Sequence, residues 1–245
     1  MKKSLLVFIL IFGTLRLPVL AQLTVNNSMY TPAQLVQNIL LGNGVTASNI
    51  VYSGMGNAIG FFNGASSNIG LSSGLILTTG DIQNAVGPNN STFASFINNL
   101  SSDSDMDSLM HNYSIDASIL EFDFVPSGDT VKFRYVFGSE EYMEFVNTFH
   151  NDAVGFFISG PGISGPYTNN SKNIALVPGT TLPITVDNIN ANLNSPLWFD
   201  NQLPPGQTIQ YDGFTKVFEA VSEVQCGQTY HVKIAIADGG DAIYD

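Results

Sequence analysis

Two hydrophobic stretches with a polar segment between them form the most informative pattern of the chain. Hydrophobic residues occupy every second position of Val131–Phe137, which is the pattern of a β-strand with one buried face. Val154–Ile158 is almost wholly apolar, as is typical of a strand covered on both faces. The pattern predicts two core strands that support an acidic loop, and such loops commonly carry binding residues. The carboxylates of this loop are Glu140, Glu141, Glu144 and Asp152.

A second alternating stretch, Leu120–Val125, lies just before Val131–Phe137, and the turn-forming residues Pro126–Asp129 separate the two. If these strands pair symmetrically about the turn, their hydrophobic faces and their charged faces match in one register. The sequence therefore predicts a β-hairpin here. Its cross-strand ion pairs would be Glu121 with Arg134 and Asp123 with Lys132.

The rest of the chain reads as short strands between segments rich in Gly, Asn, Ser and Pro. One short helix begins at Thr31-Pro32, where Thr suits the N-cap and Pro the first helical position, and it ends at Gly42. Short strands separated by such turns are typical of sandwiches. The sequence thus predicts an all-β fold, a jelly-roll-like antiparallel β-sandwich with one short N-terminal helix. The further strand candidates are Ile59–Phe62, Gly74–Thr79, Asn173–Val177, Leu182–Val186, Thr208–Tyr211, Thr215–Val221 and Thr229–Ala237.

The first 21 residues, Met1–Ala21, have the pattern of a signal peptide and are set apart from the fold. Lys2 and Lys3 precede an apolar run, Leu5–Phe12, and a small residue, Ala21, ends a cleavage-site pattern. The run is far shorter than the ~20 residues of a membrane-spanning helix. We therefore expect an exported protein, secreted or on the cell surface, with no membrane span after signal removal. Residues 22–245 are expected to form a single domain, the N-terminal part of a longer chain.

The balance of charge narrows the range of partners. Charged residues make up only 11% of the chain, and the signal peptide holds three of the eight basic residues and none of the 20 acidic ones. The mature chain is therefore strongly acidic and should repel nucleic acid and anionic lipid. It suits divalent cations or a cationic partner, although solubility outside the cell explains the charge equally well. Cys226 is the only cysteine, so no disulfide can form within the chain.

Two acidic groups are candidates for a calcium site, because Ca²⁺ takes several carboxylate and carbonyl oxygens as ligands. One lies in the loop after Val131–Phe137, and the other in the Gly-rich segment after Thr229–Ala237. We expect them to meet if these two strands are neighbours. The alternatives are an acidic loop whose carboxylates cap backbone N–H groups and a turn with solvated aspartates. The predicted metal ligands are Glu140, Glu141, Asp152, Asp238 and Asp241.

Other chemically suggestive groups are weaker. The alternating aspartates at 103, 105 and 107 resemble an EF-hand start, but Ser108 and Ser114 stand where Gly and Glu are needed, so we expect a solvated polar loop. Glu121 and Asp123 have the spacing of glycosidase carboxylates, yet the predicted hairpin already gives them cationic partners. No nucleophile–base set is apparent among the scattered histidines.

Ten motifs, spread over most of the mature chain from about Tyr30, carry a family resemblance. They are Phe137–Tyr142, Phe145-Val146, Asn151-Asp152, Gly155–Gly162, Thr79-Gly80, Leu120–Phe124, Asn173–Thr180, Thr229–Asp238, Asp241 and Tyr244-Asp245. Together they resemble the choice-of-anchor L domain family. The resemblance implies an extracellular bacterial module at the front of large surface or secreted proteins that are held by differing C-terminal anchors. It implies no enzymatic activity, and it supplies no catalytic residues.

The expected function is a non-catalytic extracellular surface or adhesion module, stabilised by Ca²⁺ and binding a glycan or a protein partner. Two alternatives stay open. One is a glycan-active hydrolase that uses Glu121 or Asp123, and the other is a purely structural spacer of a larger adhesin.

Overall fold

The computed structural model describes residues 22–42, 45–91, 93–202 and 208–244, so the predicted signal peptide lies outside the described residues. The chain is dominated by short β-strands. The α-helices of the described residues are α1 (Pro32–Gln34), which continues as a π-helical segment Leu35–Leu40, and α2 (Ser104–Met110). Short 3₁₀ helices lie at Ile82–Ala85, Thr168–Asn170 and Ser195–Leu197. The strands are β1 (Thr24–Asn26), β2 (Thr46–Ser53), β3 (Ile59–Asn63), β4 (Ser73–Leu77), β5 (Ser114–Val125), β6 (Thr130–Tyr135), β7 (Gly138–Ser139), β8 (Ala153–Ser159), β9 (Lys172–Asn173), β10 (Ile184–Thr185), β11 (Trp198–Asp200), β12 (Gly213–Thr215), β13 (Phe218–Glu223) and β14 (Tyr230–Gly239).

Within the described residues, the strands form four antiparallel sheets in a sandwich-like arrangement, which confirms the predicted all-β fold. The largest sheet has the order β10-β8-β14-β5-β2, with β9 beside β8. The smaller sheets have the orders β1-β3-β4, β11-β12-β7 and β13-β6. The main hydrophobic core joins the largest sheet to the β13-β6 pair, because Leu120, Phe122 and Phe124 cluster with Phe133 and Tyr135. Burial of each such side chain stabilises the fold by about 1.5–3 kcal/mol.

The predicted hairpin of Leu120–Val125 with Val131–Phe137 is wrong. The first stretch belongs to β5, which pairs with β14 and β2, whereas β6 pairs with β13 in a different sheet. The turn between them therefore carries the chain from one layer of the sandwich to the other. Alternation fixes which side chains face the core, but it does not fix which strand becomes the neighbour.

The predicted ion pairs are wrong for the same reason. The ammonium of Lys132 lies 3.6 Å from a carboxylate oxygen of Glu219 on β13. Glu121 and Asp123 instead lie beside His231 of β14, at 3.4 and 2.8 Å.

Both faces of β8 are covered, as the uniformly apolar stretch Val154–Ile158 predicts, and all seven of its residues are buried. One face belongs to the main core, and helix α2 covers the other with Met106, Leu109 and Met110. The solvated loop that we expected at residues 103–107 is therefore a helix start. The Asp103 carboxylate accepts hydrogen bonds from the N–H groups of Asp105 and Met106, both 3.1 Å, which is the usual role of an N-cap aspartate.

The predicted N-terminal helix is present. Thr31 and Gln34 form a capping box, in which each side chain accepts a hydrogen bond from the backbone N–H of the other. Among the described residues, no helix has both the length and the apolar character needed to cross a membrane.

Candidate functional site

Four of the five predicted metal ligands meet at one end of the largest sheet. Asp152 directly precedes β8, and β8 pairs with β14 so that Ala153 lies opposite Ala237. This pairing brings Asp152 beside the segment that starts at Asp238. The predicted pairing of Val131–Phe137 with Thr229–Ala237 is wrong, because β14 lies between β5 and β8.

Hydrogen bonds fix the position of the loop carboxylates. The hydroxyl of Ser139 donates to Asp152 Oδ2 at 2.8 Å and accepts from the N–H of Glu141 at 2.9 Å. The N–H of Asp152 donates to Glu141 Oε2 at 3.2 Å, and the N–H of Gly239 donates to Asp152 Oδ1 at 3.3 Å. Glu141, Asp152, Asp238 and Asp241, together with Asp187, are called the acidic cluster below.

The acidic cluster is largely withdrawn from water. Glu141 and Asp238 are each 1% exposed, and Asp152 is 4% exposed. The fifth predicted ligand, Glu140, is 1% exposed and is adjacent to Glu141 in the chain. Asp241 lies at the rim, where one of its oxygens is 3.0 Å from Nε2 of His150.

Burial and neighbouring charge act together on Glu141. Burial is the larger cause and the charge of Asp152 the next, with smaller contributions from Asp241 and Asp187, and they raise the pKa of Glu141 to about 10. Glu141 is therefore protonated at neutral pH unless a cation compensates its charge. The same two causes raise the pKa of Tyr142, which is fully buried beside the acids.

The structure brings predicted ligands together without arranging them around an ion. Within the described part of the chain, no group of three or more His, Cys, Asp or Glu side chains has an arrangement that could hold a metal ion. Calcium binding therefore stays a prediction. Asp187 joins the cluster from the turn after β10, and sequence reasoning missed it because nothing in its local sequence relates it to Glu141.

A cavity of about 460 Å³ begins beside the acidic cluster and was not anticipated from the sequence. All of β4 and the consecutive residues Lys132–Gly138 line it, so we call it the interstrand cavity. Asp152 and Asp238 belong to its lining. Its remaining walls are largely apolar and include Phe156, Ile234 and Ile236 of the largest sheet.

The interstrand cavity lies along the open edge of β4. Hydrogen bonds from Thr78 N–H to Ala58 O, 3.0 Å, and from Gly64 N–H to Ser72 O, 2.9 Å, show that even-numbered residues of β4 bond to β3. In an antiparallel pair, every second residue of a strand bonds to the partner strand and the residues between them bond on the other side. The odd-numbered residues of β4 therefore direct their N–H and C=O groups away from β3. Within the described ranges, no strand pairs with this edge.

The edge of β6 has the same property. Val224 N–H donates to Asp129 O at 2.9 Å, which makes the odd-numbered residues of β6 the ones that bond to β13. The backbone groups of Lys132 and Arg134 therefore point to the open edge. No strand in the described segments pairs with β6 there. Two unused strand edges thus border one apolar cavity.

Glu121 and Asp123 lie on the exterior of the largest sheet, and neither lines the interstrand cavity. Asp123 Oδ2 accepts a 2.7 Å hydrogen bond from Asn49, and Oδ1 lies 2.8 Å from Nδ1 of His231. Burial alone would raise the pKa of Asp123, but these two hydrogen bonds lower it. A general acid needs a raised pKa, so Asp123 has the wrong shift for that role.

No curated protein and no solved structure matches this chain. The choice-of-anchor L domain model, in contrast, matches residues 24–245, which confirms the resemblance found in the sequence motifs. The chain therefore belongs to the choice-of-anchor L domain family, a family of cell-surface, anchor-related modules.

Proposed function

We propose that this chain is a non-catalytic extracellular module that binds a protein partner by accepting an extended segment of that partner into the interstrand cavity. The observation that carries the proposal is the pair of open strand edges, β4 and β6, that border one apolar cavity. Addition of a strand at a free sheet edge is a recurring mode of peptide recognition. Here the inserted segment would bond to both edges and join β3-β4 to β6-β13 in one sheet.

The hydrogen-bonding demand of the edges supports a polypeptide over a glycan. Successive N–H and C=O groups at the odd-numbered positions of β4 and the even-numbered positions of β6 match the repeat of an extended backbone. Open edges of this kind are a liability that proteins commonly protect, and an inserted strand would protect both. Tyr135 also lines the cavity, and its buried hydroxyl has no hydrogen-bond partner among the described residues.

The chemistry of the walls defines the segment that would fit. Residues facing the largest sheet would meet Phe133, Phe156 and Ile234 and should be apolar. The opposite face opens to solvent beside Lys132 and Arg134, where acidic residues would be favourable. We therefore expect a segment that alternates apolar with polar, partly acidic residues.

Hydrogen exchange tests the open edges in the unbound protein. The amides of Leu75, Leu77 and Arg134 should exchange much faster than those of Ile76 and Phe133, which bond within their sheets. Equal protection of both sets would contradict the proposal, because it would mean that the edges are already satisfied.

Binding can be tested with a synthetic peptide that alternates valine with glutamate. It should protect the fast-exchanging amides of both strands, and calorimetry should show saturable binding. The same peptide with N-methyl groups on alternate amides loses one set of donors and should not bind. If both peptides bind equally, or if a glycan array gives the only binding, the strand-addition mechanism is refuted.

Charge variants give a matched comparison. The double variant Lys132→Gln and Arg134→Gln should weaken binding of the acidic peptide about two- to fivefold per charge, because both side chains are exposed. Lys216→Gln, which removes a charge outside the cavity lining, should leave it unchanged. A spacer without a ligand predicts no binding by any of these proteins.

We also propose that Ca²⁺ binds the acidic cluster and orders the end of the interstrand cavity. The support is the concentration of buried carboxylates, of which Asp152 and Asp238 also line the cavity. Ca²⁺ would have to draw the carboxylates into a ligand set. At 100 times its dissociation constant it would stabilise the fold by about 2.7 kcal/mol. A melting temperature that is the same in millimolar Ca²⁺ and in chelator would exclude the site.

A further inference from the structure

Lys233 of β14 lies between two aspartates at the start of α2. Its ammonium nitrogen is 2.5 Å from Asp105 Oδ2, and it is 2.8 and 3.0 Å from the two oxygens of Asp103. This group is separate from the acidic cluster and from the interstrand cavity. One cation therefore faces two carboxylates at hydrogen-bonding distance.

This group is largely buried, and apolar side chains lie beside it. The side chains of Lys233 and Asp105 are 10% and 5% exposed. The ammonium lies 5.0 Å from the centre of the Phe157 ring, and Met106 is fully buried in the same cluster. Burial alone would raise the pKa of Asp105, but its hydrogen bonds to Lys233 and Thr168 lower that pKa overall, so Asp105 is charged in the resting protein. The amine and the carboxylates are thus held as an ion pair within reach of proton transfer.

The two carboxylates have different environments. Asp105 Oδ1 accepts hydrogen bonds from the backbone N–H of Thr168 at 2.9 Å and from its hydroxyl at 2.8 Å, which leaves Oδ2 facing Lys233. Two donors on one oxygen are the arrangement that stabilises an oxyanion when a nucleophile attacks the carbonyl carbon. Asp103 Oδ1 is held by the N-cap hydrogen bonds of α2, whereas Oδ2 accepts from the amine at 3.0 Å, so Oδ2 can act as a base.

We propose that Lys233 and Asp105 form an intramolecular amide cross-link, with Asp103 as the proton carrier. Asp103 takes a proton from the Lys233 ammonium and passes it to Oδ2 of Asp105, so that a neutral amine faces an uncharged carboxyl. Nζ then forms a bond to Cγ of Asp105, and the negative charge that builds on Oδ1 is held by the two Thr168 donors. Asp103 carries a second proton from Nζ to Oδ2, the C–O bond breaks, and water leaves.

The reaction is balanced within the chain. The ammonium and the Asp105 carboxylate become one amide and one water molecule, Asp103 ends as a carboxylate, and no oxidant or co-reactant is needed. The link ties α2 to β14 across 128 positions of sequence. It would give covalent reinforcement to a chain whose single cysteine, Cys226, excludes an internal disulfide.

Mass spectrometry of the purified, folded protein tests the link. Peptide mapping after denaturation should give a joined pair of peptides that contain Asp105 and Lys233, lighter by one water than their sum. Water loss alone does not suffice, because an aspartate before glycine, such as Asp212, can also lose water by closing a ring. Recovery of the two peptides only as separate species, after prolonged incubation of the folded protein, would overturn the proposal.

Variants separate the chemistry from a simple ion pair. Lys233→Arg keeps the positive charge but is not nucleophilic, so it should give unlinked peptides. Asp105→Asn should form the same link with loss of ammonia instead of water. Asp103→Asn should remain unlinked although its peptides and fold are otherwise unchanged, and a linked Asp103→Asn protein would exclude the proton-carrier role. Lys216→Arg should stay linked as the control.

Discussion

Replacing Glu141 by Gln should stabilise the protein in a pH-dependent way. The pKa of Glu141 is raised from 4.5 to about 10, by burial first and by the charge of Asp152 second. The folded state thus holds a proton that the unfolded state releases above pH 4.5. The stability contributed by this carboxyl is fully present below pH 4.5 and is lost progressively as the pH rises towards 10.

The size of the effect follows from the distance between the two pKa values. At pH 7, about 2.5 units above the pKa in the unfolded chain, the folded protein still holds the Glu141 proton. Each of these units lowers the free energy of unfolding by about 1.36 kcal/mol, so the total loss is on the order of 3 kcal/mol. Gln carries no such proton, and its amide oxygen can still accept the hydrogen bond from the N–H of Asp152. The variant should therefore match the wild type near pH 4 and exceed it at pH 7.

Urea unfolding in the presence of chelator, at several pH values between 4 and 8.5, measures the difference in free energy of unfolding. Glu223→Gln, a change at an exposed position of β13, should show no comparable trend. A Glu141→Gln difference that is flat with pH would refute the reasoning. With Ca²⁺ added, a wild-type gain that the Glu141→Gln variant lacks would support a ligand role for Glu141.

Three further predictions concern the packing and the helix capping of the fold. Gly239→Ala should destabilise the protein by about 1–3 kcal/mol, because the added Cβ would lie 2.6 Å from the backbone oxygen of Asn151. The control, Gly128→Ala, places a Cβ with nothing within 4 Å and should be nearly neutral. Urea unfolding of both variants compares them directly. Phe122→Ala should cost about 3–5 kcal/mol by leaving a cavity in the main core, and a loss below 1 kcal/mol in the same assay would contradict its full burial. Thr31→Ala removes the N-cap of α1 and should lower the free energy of unfolding by about 1 kcal/mol, while restoration by Thr31→Ser would identify the hydroxyl as the cause.

The calcium prediction shows how much of the candidate site local composition can predict. Glu141, Asp152, Asp238 and Asp241 were selected from local composition, and the structure does place them together. The strand pairing that was expected to bring them together was wrong, however, because the neighbour of β14 is β8 and not Val131–Phe137. Asp187 and the open edges of the interstrand cavity left no signal in the sequence, because both depend on which distant segments pack together.

Helix α2 is a case in which a local signal was available. Asp103 followed by Asp105 and Asp107 is the acidic start that favours a helix N-terminus, although the same spacing also resembles the start of an EF-hand loop. Lys233, which contacts two of these aspartates, is 128 residues away from Asp105, so no reading of the local pattern could have paired them.

The sequence by itself determined the faces of the strands, the acidic character of the chain, its family, and the residue types of its acidic loop. These properties depend on alternation, composition and motifs, which are local. Only the tertiary structure decided which strands are neighbours, which carboxylates lose contact with water, and which two strand edges have no partner among the described strands. Strand pairing is a competition among distant segments with equivalent faces, and the packing of the whole chain selects the outcome.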